Sequence, residues 1–373
     1  MAKSPLLAVG AAVGFAAAAL AHTAPAAADT NLTYGSTLPA PHVVHEKGLA
    51  PFFERIEQQT NGALSWEILP GGAMGGVKEA VQTIEDGVVD SGLVLDIYTR
   101  QEVPITSMFA DMIAIPDDFL VYAAAANEMQ LLDCQACIDE RTDRDLIAMA
   151  YYAPDPYLLM CSDGSRTYAD LQNKKTRASG RMGVLIDSFG ATTVTIPSSE
   201  VYESLQRGQA ACSVASSAWL DSYGLSDVVT TVIDLPMGSY FNAGLLYMNK
   251  SVYDDLTEDE QTAIRDNLAG LVADTLFAYR AEGQSAVDAA KAKGVEFVEP
   301  DSEMVEALVE FRKGELQNTI ETAEKAGIEG AQERVDAFMS LVEKWRQIVA
   351  ETGDDKQAFT EALNREIFSK ATF

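Results

Sequence analysis

Short apolar runs alternate with amphipathic helical patterns along most of the chain, and this alternation is what most constrains the fold. Strand-like runs such as LIAMAYY (146–152) and NAGLLYMNK (242–250) are separated by helical segments such as VVHEKGLAPFFERIEQQ (43–59). Strands that alternate with helices predict parallel-rich α/β sheets covered by helices on both faces. The chain of 373 residues is long enough for two such domains.

The N-terminal segment, residues 1–28, is predicted to be a secretory signal peptide. Lys3 precedes a charge-free run from Leu6 to Leu20, and small residues follow before Asp29. That run is shorter than the ~20 apolar residues that a stable membrane span needs, and no later segment is apolar for long enough. We therefore expect export without membrane insertion after signal removal; an uncleaved N-terminal anchor is the alternative.

The charge balance excludes two classes of partner. The chain carries 27 lysines and arginines against 56 aspartates and glutamates, a formal net charge of −29. Such a surface repels nucleic acids and anionic lipids, so we expect neither as a partner. One stretch departs from this balance: NKKTRASGR (173–181) contains the cations Lys174, Lys175, Arg177 and Arg181.

Four cysteines suit an oxidising compartment. Cys134 and Cys137 form a CxxC motif that has no second CxxC to complete a zinc site. The motif also does not read as following a strand at a helix start, where redox motifs lie. A structural disulfide between Cys134 and Cys137 is therefore predicted. Cys161 and Cys212 lie in apolar strand-like runs, and both buried thiols and a second bridge remain open for them.

Groups for catalysis or metal binding are sparse. His22 leaves with the signal, and His42 and His45 lie three residues apart, where they can share one helical face. A metal site needs more ligands, and Glu46 is the only obvious neighbour, so we expect no metal and a histidine pair facing solvent or a cleft. An enzyme would have to use Asp96 with His42 as its acid–base pair.

Known nucleophile and phosphate motifs are also missing from the sequence. No GxSxG stretch occurs, and the glycine-rich PGGAMGG (70–76) matches neither GxGxxG nor GxxxxGK[ST], so it predicts a plain turn. We therefore predict a protein that is not an enzyme and holds no cofactor.

Two linked stretches, YADLQNKKTRASG (168–180) and FGATTVTIPSSEVYESLQRGQ (189–209), resemble the most specific part of the substrate-binding proteins of tripartite ATP-independent periplasmic (TRAP) transporters. LTEDEQTAI (256–264) is similar to the family at the head of a long helix. The order of elements resembles the family over nearly the whole mature chain. The family features kept here are Asp170-Leu171, Arg177, Gly190-Ala191, Ser199-Glu200-Val201-Tyr202, Leu205-Gln206 and Gly208.

The resemblance implies an α/β periplasmic binding protein with two domains, a cleft between them and a long helix, here from about Leu256 to Lys293, spanning both. The domain boundaries expected on this basis are 29–153 with 243–285 for domain I, 154–242 with 286–350 for domain II, and 351–373 for a C-terminal helical tail.

The function implied by the resemblance is solute capture in the periplasm. A monomer would close its domains around a small organic acid that bears a carboxylate and deliver it to the permease subunits in the membrane. An exported ligand-sensing protein for a membrane receptor is the first alternative, and an exported enzyme is the second.

In the family a strand-ending arginine holds the ligand carboxylate, and that position is Arg177 here. A planar guanidinium offers two parallel donors to both carboxylate oxygens and stays ionised inside a cleft. Strand alternation places Lys175 on the face of Arg177 and Lys174 opposite. We expect both lysines to be solvated, with a place near the cleft as the alternative for Lys175. Arg181 is a further candidate for the mouth of the cleft.

Other expected ligand contacts come from matching family positions. Asn242 matches an asparagine of the family's hinge strand, whereas Ala215 replaces an asparagine that contacts ligand in the family. The pocket therefore keeps one carboxylate anchor beside tyrosine and tryptophan, which favours a small or partly apolar acid over a polyhydroxylated one. The full predicted set is Arg177, Asn242, Trp219, Tyr98, Asp96, Tyr157, Ser216, Thr37 and His42.

Overall fold

A computed structural model describes residues 1–2, 30–116 and 118–373. Nearly all of the predicted signal peptide, including His22, lies outside the described residues. Within the part that is described, no helix combines the length and the apolar character needed to cross a membrane.

Two separate β-sheets organise the described chain. The first has the strand order β2-β1-β3-β10-β4, and the second has the order β11-β9-β5-β8-β6-β7. The strands are β1 (Thr30–Gly35), β2 (Leu64–Leu69), β3 (Ser91–Leu95), β4 (Leu146–Tyr152), β5 (Tyr157–Cys161), β6 (Lys175–Arg177), β7 (Thr192–Val194), β8 (Cys212–Ser216), β9 (Thr231–Ile233), β10 (Ala243–Asn249) and β11 (Glu296–Val298).

Both sheets are mixed, whereas the alternation of elements predicted parallel-rich sheets. β10 is antiparallel to β3 and β4. In the second sheet β5 is antiparallel to β8 and β9. The reversals occur in β5 and β10, the strands that the chain enters on its first two passages between the sheets, whereas β11, entered on the third, is parallel to β9. The direction of a strand's partner is not encoded in its own apolar pattern, so this feature was not predictable.

Helices pack on the faces of both sheets. They are α1 (Ala50–Gln59), α2 (Ala80–Glu85), α3 (Pro104–Ser107), α4 (Phe119–Glu128), α5 (Gln135–Thr142), α6 (Tyr168–Leu171), α7 (Arg181–Ser188), α8 (Val201–Gln206), α9 (Trp219–Ser222), α10 (Lys250–Asp254), α11 (Glu258–Ala292), α12 (Ser302–Lys313), α13 (Glu315–Lys325), α14 (Ala331–Thr352) and α15 (Lys356–Leu363).

The long helix predicted from about Leu256 to Lys293 is confirmed as α11. A capping box starts it, because the Thr257 hydroxyl accepts from the Glu260 N–H while the Glu260 carboxylate accepts from the Thr257 N–H. At 1.5 Å per residue its 35 residues extend about 50 Å, enough to pass both sheets. It packs against β4 of the first sheet and against α9, which follows β8 of the second.

The C-terminal helices pack on the layer of the first sheet. α14 contacts α4, although the expected boundaries assign it to domain II. The Glu128 carboxylate on α4 accepts from Lys344 Nζ and from Trp345 Nε1, each at 2.7 Å. Phe359 of α15 is fully buried. The terminal helices therefore belong to the folded body rather than to a free extension.

The predicted disulfide between Cys134 and Cys137 is confirmed, with the two sulfurs 1.97 Å apart. Cys134 is the N-cap of α5, so the motif lies at a helix start. A π-helical turn rather than a strand precedes it. The open question on Cys161 and Cys212 resolves as a second bridge at 2.08 Å, which joins facing residues of β5 and β8.

Glu282, on α11, is an acidic group held in an unfavourable environment. Its Oε1 is buried without a hydrogen-bond partner in the described chain. Burial, together with the like charges of Asp221, Asp155 and Glu46, raises the pKa of this carboxyl from 4.5 to about 7, against a smaller opposing contribution from the Ser222 hydroxyl. The charged form therefore destabilises the folded state.

We expect the Glu282→Gln substitution to stabilise the protein at pH 8 and to have little effect at pH 5. The pKa is raised in the folded state, so the folded protein binds more protons and the free energy of unfolding falls as pH rises from about 4.5 to 7. Urea unfolding at several pH values measures this, with Glu54→Gln on an exposed face of α1 as the control. A constant difference between variant and wild type across pH would contradict it.

Candidate ligand-binding site

A cavity lies between the two sheets, with about 590 Å³ of space free of protein atoms, part of it open to solvent. Among the described residues that line it, Arg177 is the only charged one. Aliphatic side chains and a few serines complete the lining. Its aromatic residues are Tyr98, Tyr152, Tyr157, Trp219, Tyr223, Tyr240 and Tyr279.

Strand β6 places Arg177 at the cavity. The strand is parallel to both neighbours, with Arg177 facing Val194 of β7 and Ser213 of β8. Arg177 is its last residue, and ligands of open α/β sheets bind beyond the carboxyl ends of such strands. The Nε–H donates to the carbonyl oxygen of Ile196 at 2.7 Å, which fixes the plane of the guanidinium.

The terminal nitrogens of Arg177 have only long contacts with neutral groups. Nη1 lies 3.4 Å from the Val214 carbonyl oxygen, and Nη2 lies 3.3 Å from both the Tyr98 and the Ser179 hydroxyls. The side chain is 4% exposed, and no carboxylate of residues 30–116 or 118–373 forms an ion pair with it. A buried cation without a counter-charge is costly, so this site favours an anion.

The other cations of the 173–181 stretch are occupied elsewhere or exposed. Lys174 pairs with Asp163, and Lys175 is exposed at the start of β6. Arg181 pairs with Glu315, and its guanidinium lies 5.5 Å from the ring centroid of Phe311. Its proposed place at the cleft mouth is therefore wrong, because the α12–α13 region provides it with a buried carboxylate. Of the four cations, only Arg177 lines the cavity.

A turn from the first sheet reaches Arg177 across the cavity. Tyr98 ends the 3₁₀ turn Asp96–Tyr98 after β3, and its hydroxyl lies 3.1 Å from the Ser179 hydroxyl of the second sheet. Gly180 has a φ of 54°, and a Cβ there would lie 2.6 Å from Cδ1 of Ile97. The positive φ favours glycine at this position, and the missing side chain leaves room for Ile97 of the facing turn.

Asp96 and Asn242, both predicted to contact ligand, lie behind the wall rather than in it. The Asn242 side chain donates to Asp96 Oδ2 at 2.7 Å and accepts from Gln130 Nε2 at 3.1 Å, and the Tyr247 hydroxyl donates to Asp96 Oδ1 at 3.3 Å. Complete burial is the main cause that raises the Asp96 pKa well above its usual range. This network holds the turn that carries Tyr98.

His42 supports the cavity from outside. Its Nδ1 accepts from the Val44 N–H at 3.2 Å, so its proton is on Nε2, which donates to the hydroxyl of Tyr279 in the lining at 3.2 Å. Burial, and then the neighbouring His45, lower the His42 pKa to about 3. Both histidines are buried, so neither faces solvent, and His42 lies behind the cavity wall. Asp96 and His42 also bond to different partners, so they do not form an acid–base pair.

Ser216 and Thr37 lie outside the lining as well. The Ser216 hydroxyl donates to the Asp155 carboxylate in the passage between the sheets. Thr37 lines a second, smaller space of about 300 Å³ beside the glycine-rich turn at Met74 and Gly75. Of the nine predicted ligand contacts, the structure brings together Arg177, Tyr98, Tyr157 and Trp219 around one cavity.

Four aromatic residues of the wall were not predicted: Tyr152, Tyr223, Tyr240 and Tyr279. They come from β4, the end of α9, the loop before β10, and α11. The ring centroids of Tyr152 and Tyr279 are 5.7 Å apart, and those of Trp219 and Tyr223 are 4.8 Å apart. The tyrosines lie far apart in sequence and form no periodic pattern, so the sequence indicated core positions instead.

The sequence family described as DctP, bacterial extracellular solute-binding protein, family 7, matches residues 34–323. A solute-binding protein of Albidiferax ferrireducens is 24% identical over 217 residues, which are 56% of this chain and 62% of that protein. The match thus spans less than two thirds of that relative.

Solved structures share the fold. A marine metagenome TRAP solute-binding protein specific for aromatic acid ligands, in complex with metahydroxyphenylacetate, has a TM-score of 0.74 at 22% identity, over 85% of this chain and 99% of that one. A TRAP solute-binding protein from Rhodoferax ferrireducens with copurified benzoate has a TM-score of 0.75 at 17% identity, over 86% and 99%. One from Bordetella bronchiseptica with bound mandelate has a TM-score of 0.63 at 21% identity, over 84% and 99%.

Proposed function

This chain belongs to family 7 of the bacterial extracellular solute-binding proteins, and from that premise we propose that it captures a small aromatic monocarboxylic acid between its two domains. The observation that carries the proposal is Arg177, a buried cation without a protein counter-charge at the wall of the cavity. A carboxylate on Nη1 and Nη2 supplies the missing charge with paired, charge-assisted hydrogen bonds.

The rest of the lining restricts the remainder of the ligand. The described lining residues include no acid to pair with an ammonium group and no cation besides Arg177 to pair with a second carboxylate. Amino acids and dicarboxylates are therefore disfavoured, since each would bury an unpaired charge. The tyrosines and Trp219 offer ring faces and edges to a planar apolar body. Relatives of the same fold bind benzoate, mandelate and metahydroxyphenylacetate, which supports this class.

Capture follows from contacts on both sides of the cavity. Arg177 belongs to the second sheet, and Tyr98 reaches it from the first. A ligand that contacts both sides binds the closed arrangement of the domains more tightly than the open one. This difference in binding free energy sets how far the ligand shifts the equilibrium towards the closed arrangement. In our proposal the loaded protein acts in the periplasm as a monomer and delivers the acid to a TRAP permease in the membrane, with no chemical change to the ligand.

A thermal-shift screen followed by calorimetric titration tests the proposal. We expect benzoate or a close relative to stabilise the protein, because a ligand at 100 times its Kd adds about 2.7 kcal/mol to the folded state. Three compounds serve as matched controls. Benzamide lacks the negative charge, succinate has a second carboxylate, and phenylalanine has an ammonium group. We expect each to bind at least about 10-fold more weakly, which corresponds to about 1.4 kcal/mol. Stronger stabilisation by any of the three would overturn the proposal.

A further inference from the structure

We infer that Trp219 sets the specificity of this site by donating its indole N–H to a hydrogen-bond acceptor on the ligand other than the carboxylate. The inference rests on the proposed function and deepens it. The acids selected are those that carry an ether, hydroxyl or carbonyl oxygen on the aromatic body.

Trp219 has a fixed position in the wall. It is the first residue of α9, three residues after β8 ends, and its side chain is 6% exposed. Its ring lies between two tyrosines of the lining, with centroids 5.8 Å from Tyr157 and 4.8 Å from Tyr223. The indole is therefore held by packing rather than free to turn towards a new partner.

The indole N–H has no hydrogen-bond partner in the described chain. The other two tryptophans differ from it in this respect. Trp66 Nε1 donates to the Ser91 hydroxyl at 3.2 Å, and Trp345 Nε1 donates to the Glu128 carboxylate at 2.7 Å. Buried tryptophans usually find an acceptor for this group, and leaving it unpaired destabilises the protein. The exception lies in the wall of the proposed binding cavity.

The chemistry of the indole determines what it selects. The group is a neutral donor with no acceptor capacity, so it pairs with an oxygen and not with an ammonium group. Together with Arg177 it gives the site two different contacts, one for charge and one for an uncharged oxygen. A site built to hydrogen-bond a ligand oxygen binds the analogue that lacks it more weakly, because its own polar group is then left unpaired.

Calorimetric titration with size-matched acids tests the inference. The probes are 3- and 4-methoxybenzoate. Each is compared with 3- or 4-ethylbenzoate, respectively, which has nearly the same size but a CH₂ group in place of the ether oxygen. We expect the wild-type protein to bind at least one methoxy isomer roughly 10-fold more tightly than its ethyl counterpart, as one hydrogen bond from a buried donor allows.

Trp219→Phe removes the donor and keeps an aromatic ring. This variant should lose the preference, to below about 2-fold, whatever its absolute affinity for either acid of a pair, since the comparison is made within each pair. Trp66→Phe, whose indole is on β2 away from the cavity, should keep the wild-type preference.

Equal wild-type affinities within both pairs would overturn the inference whether or not the variant folds, and so would a preference that survives in Trp219→Phe. If none of the four acids binds although benzoate does, the role of Trp219 is refuted; if benzoate does not bind either, the proposed function itself fails. If all four bind equally well, only the role of Trp219 is refuted.

Discussion

Replacing Arg177 by methionine is expected to weaken binding of the preferred aromatic acid about 30-fold or more. The variant would leave the ligand carboxylate in a buried cavity without its cation, and truncating one partner of a buried charge pair costs about 2–5 kcal/mol. At about 1.4 kcal/mol per tenfold change, the lower bound of that range corresponds to roughly 30-fold. Calorimetric titration with benzoate measures the change.

Two further variants separate geometry and charge at this site. Arg177→Lys keeps the charge but loses the two parallel donors, so its affinity should lie between wild type and the methionine variant. Lys175→Met removes an exposed cation from the same strand and should leave affinity unchanged. Stability without ligand should not fall much in Arg177→Met, because removal of a buried unpaired charge offsets the lost hydrogen bond to the Ile196 carbonyl oxygen. Wild-type affinity in the methionine variant would show that Arg177 does not hold the ligand.

Gly238→Ala is expected to lower the free energy of unfolding by about 3 kcal/mol or more, or to prevent folding. Gly238 has a φ of 122°, and a Cβ there would lie 2.0 Å from the Ile113 carbonyl oxygen and 2.9 Å from the Ala114 Cα. Both are backbone atoms, so no side chain can move aside, and strain and overpacking each cost about 1–3 kcal/mol. The Gly238 carbonyl also accepts from the Tyr157 N–H at the start of β5.

Urea unfolding measures the loss of stability in Gly238→Ala, with the separate variant Gly208→Ala as the control. Gly208 also has a positive φ, 65°, but a Cβ there would meet no atom within 4 Å. The control should therefore show only the cost of the backbone conformation, about 1–2 kcal/mol. Equal losses in the two variants would mean that the passage from β9 to β10 does not depend on the close approach to Ile113.

The sequence predicted local elements well because their signals are local. The apolar runs became strands, and the charged stretch after Leu256 became α11, whose capping box is visible in the residues Thr257 and Glu260. Arg177 was found through its match to a family motif, and its burial without an ion pair agrees with the expected role. The mixed direction of the strands was missed, because it depends on which sheet the chain enters next.

The composition of the cavity was only partly predictable. Asn242 matches a family position, yet here its amide is used by Asp96 and Gln130. Arg181 had no visible partner in sequence, since Glu315 lies 134 residues away. Tyr279 reaches the cavity from the long helix, where nothing in its neighbourhood distinguishes it from a core residue. Whether a residue lines the cavity depends on tertiary contacts, which cannot be predicted from the spacing of residues in the sequence.

A crystal structure of the protein with benzoate tests the central claim most directly. We predict that both carboxylate oxygens lie about 2.7–2.9 Å from Nη1 and Nη2 of Arg177, with the ring among Tyr157, Trp219 and the other aromatic residues of the cavity. A benzoate bound elsewhere, or a ligand in the cavity whose carboxylate is not in contact with Arg177, would contradict the account.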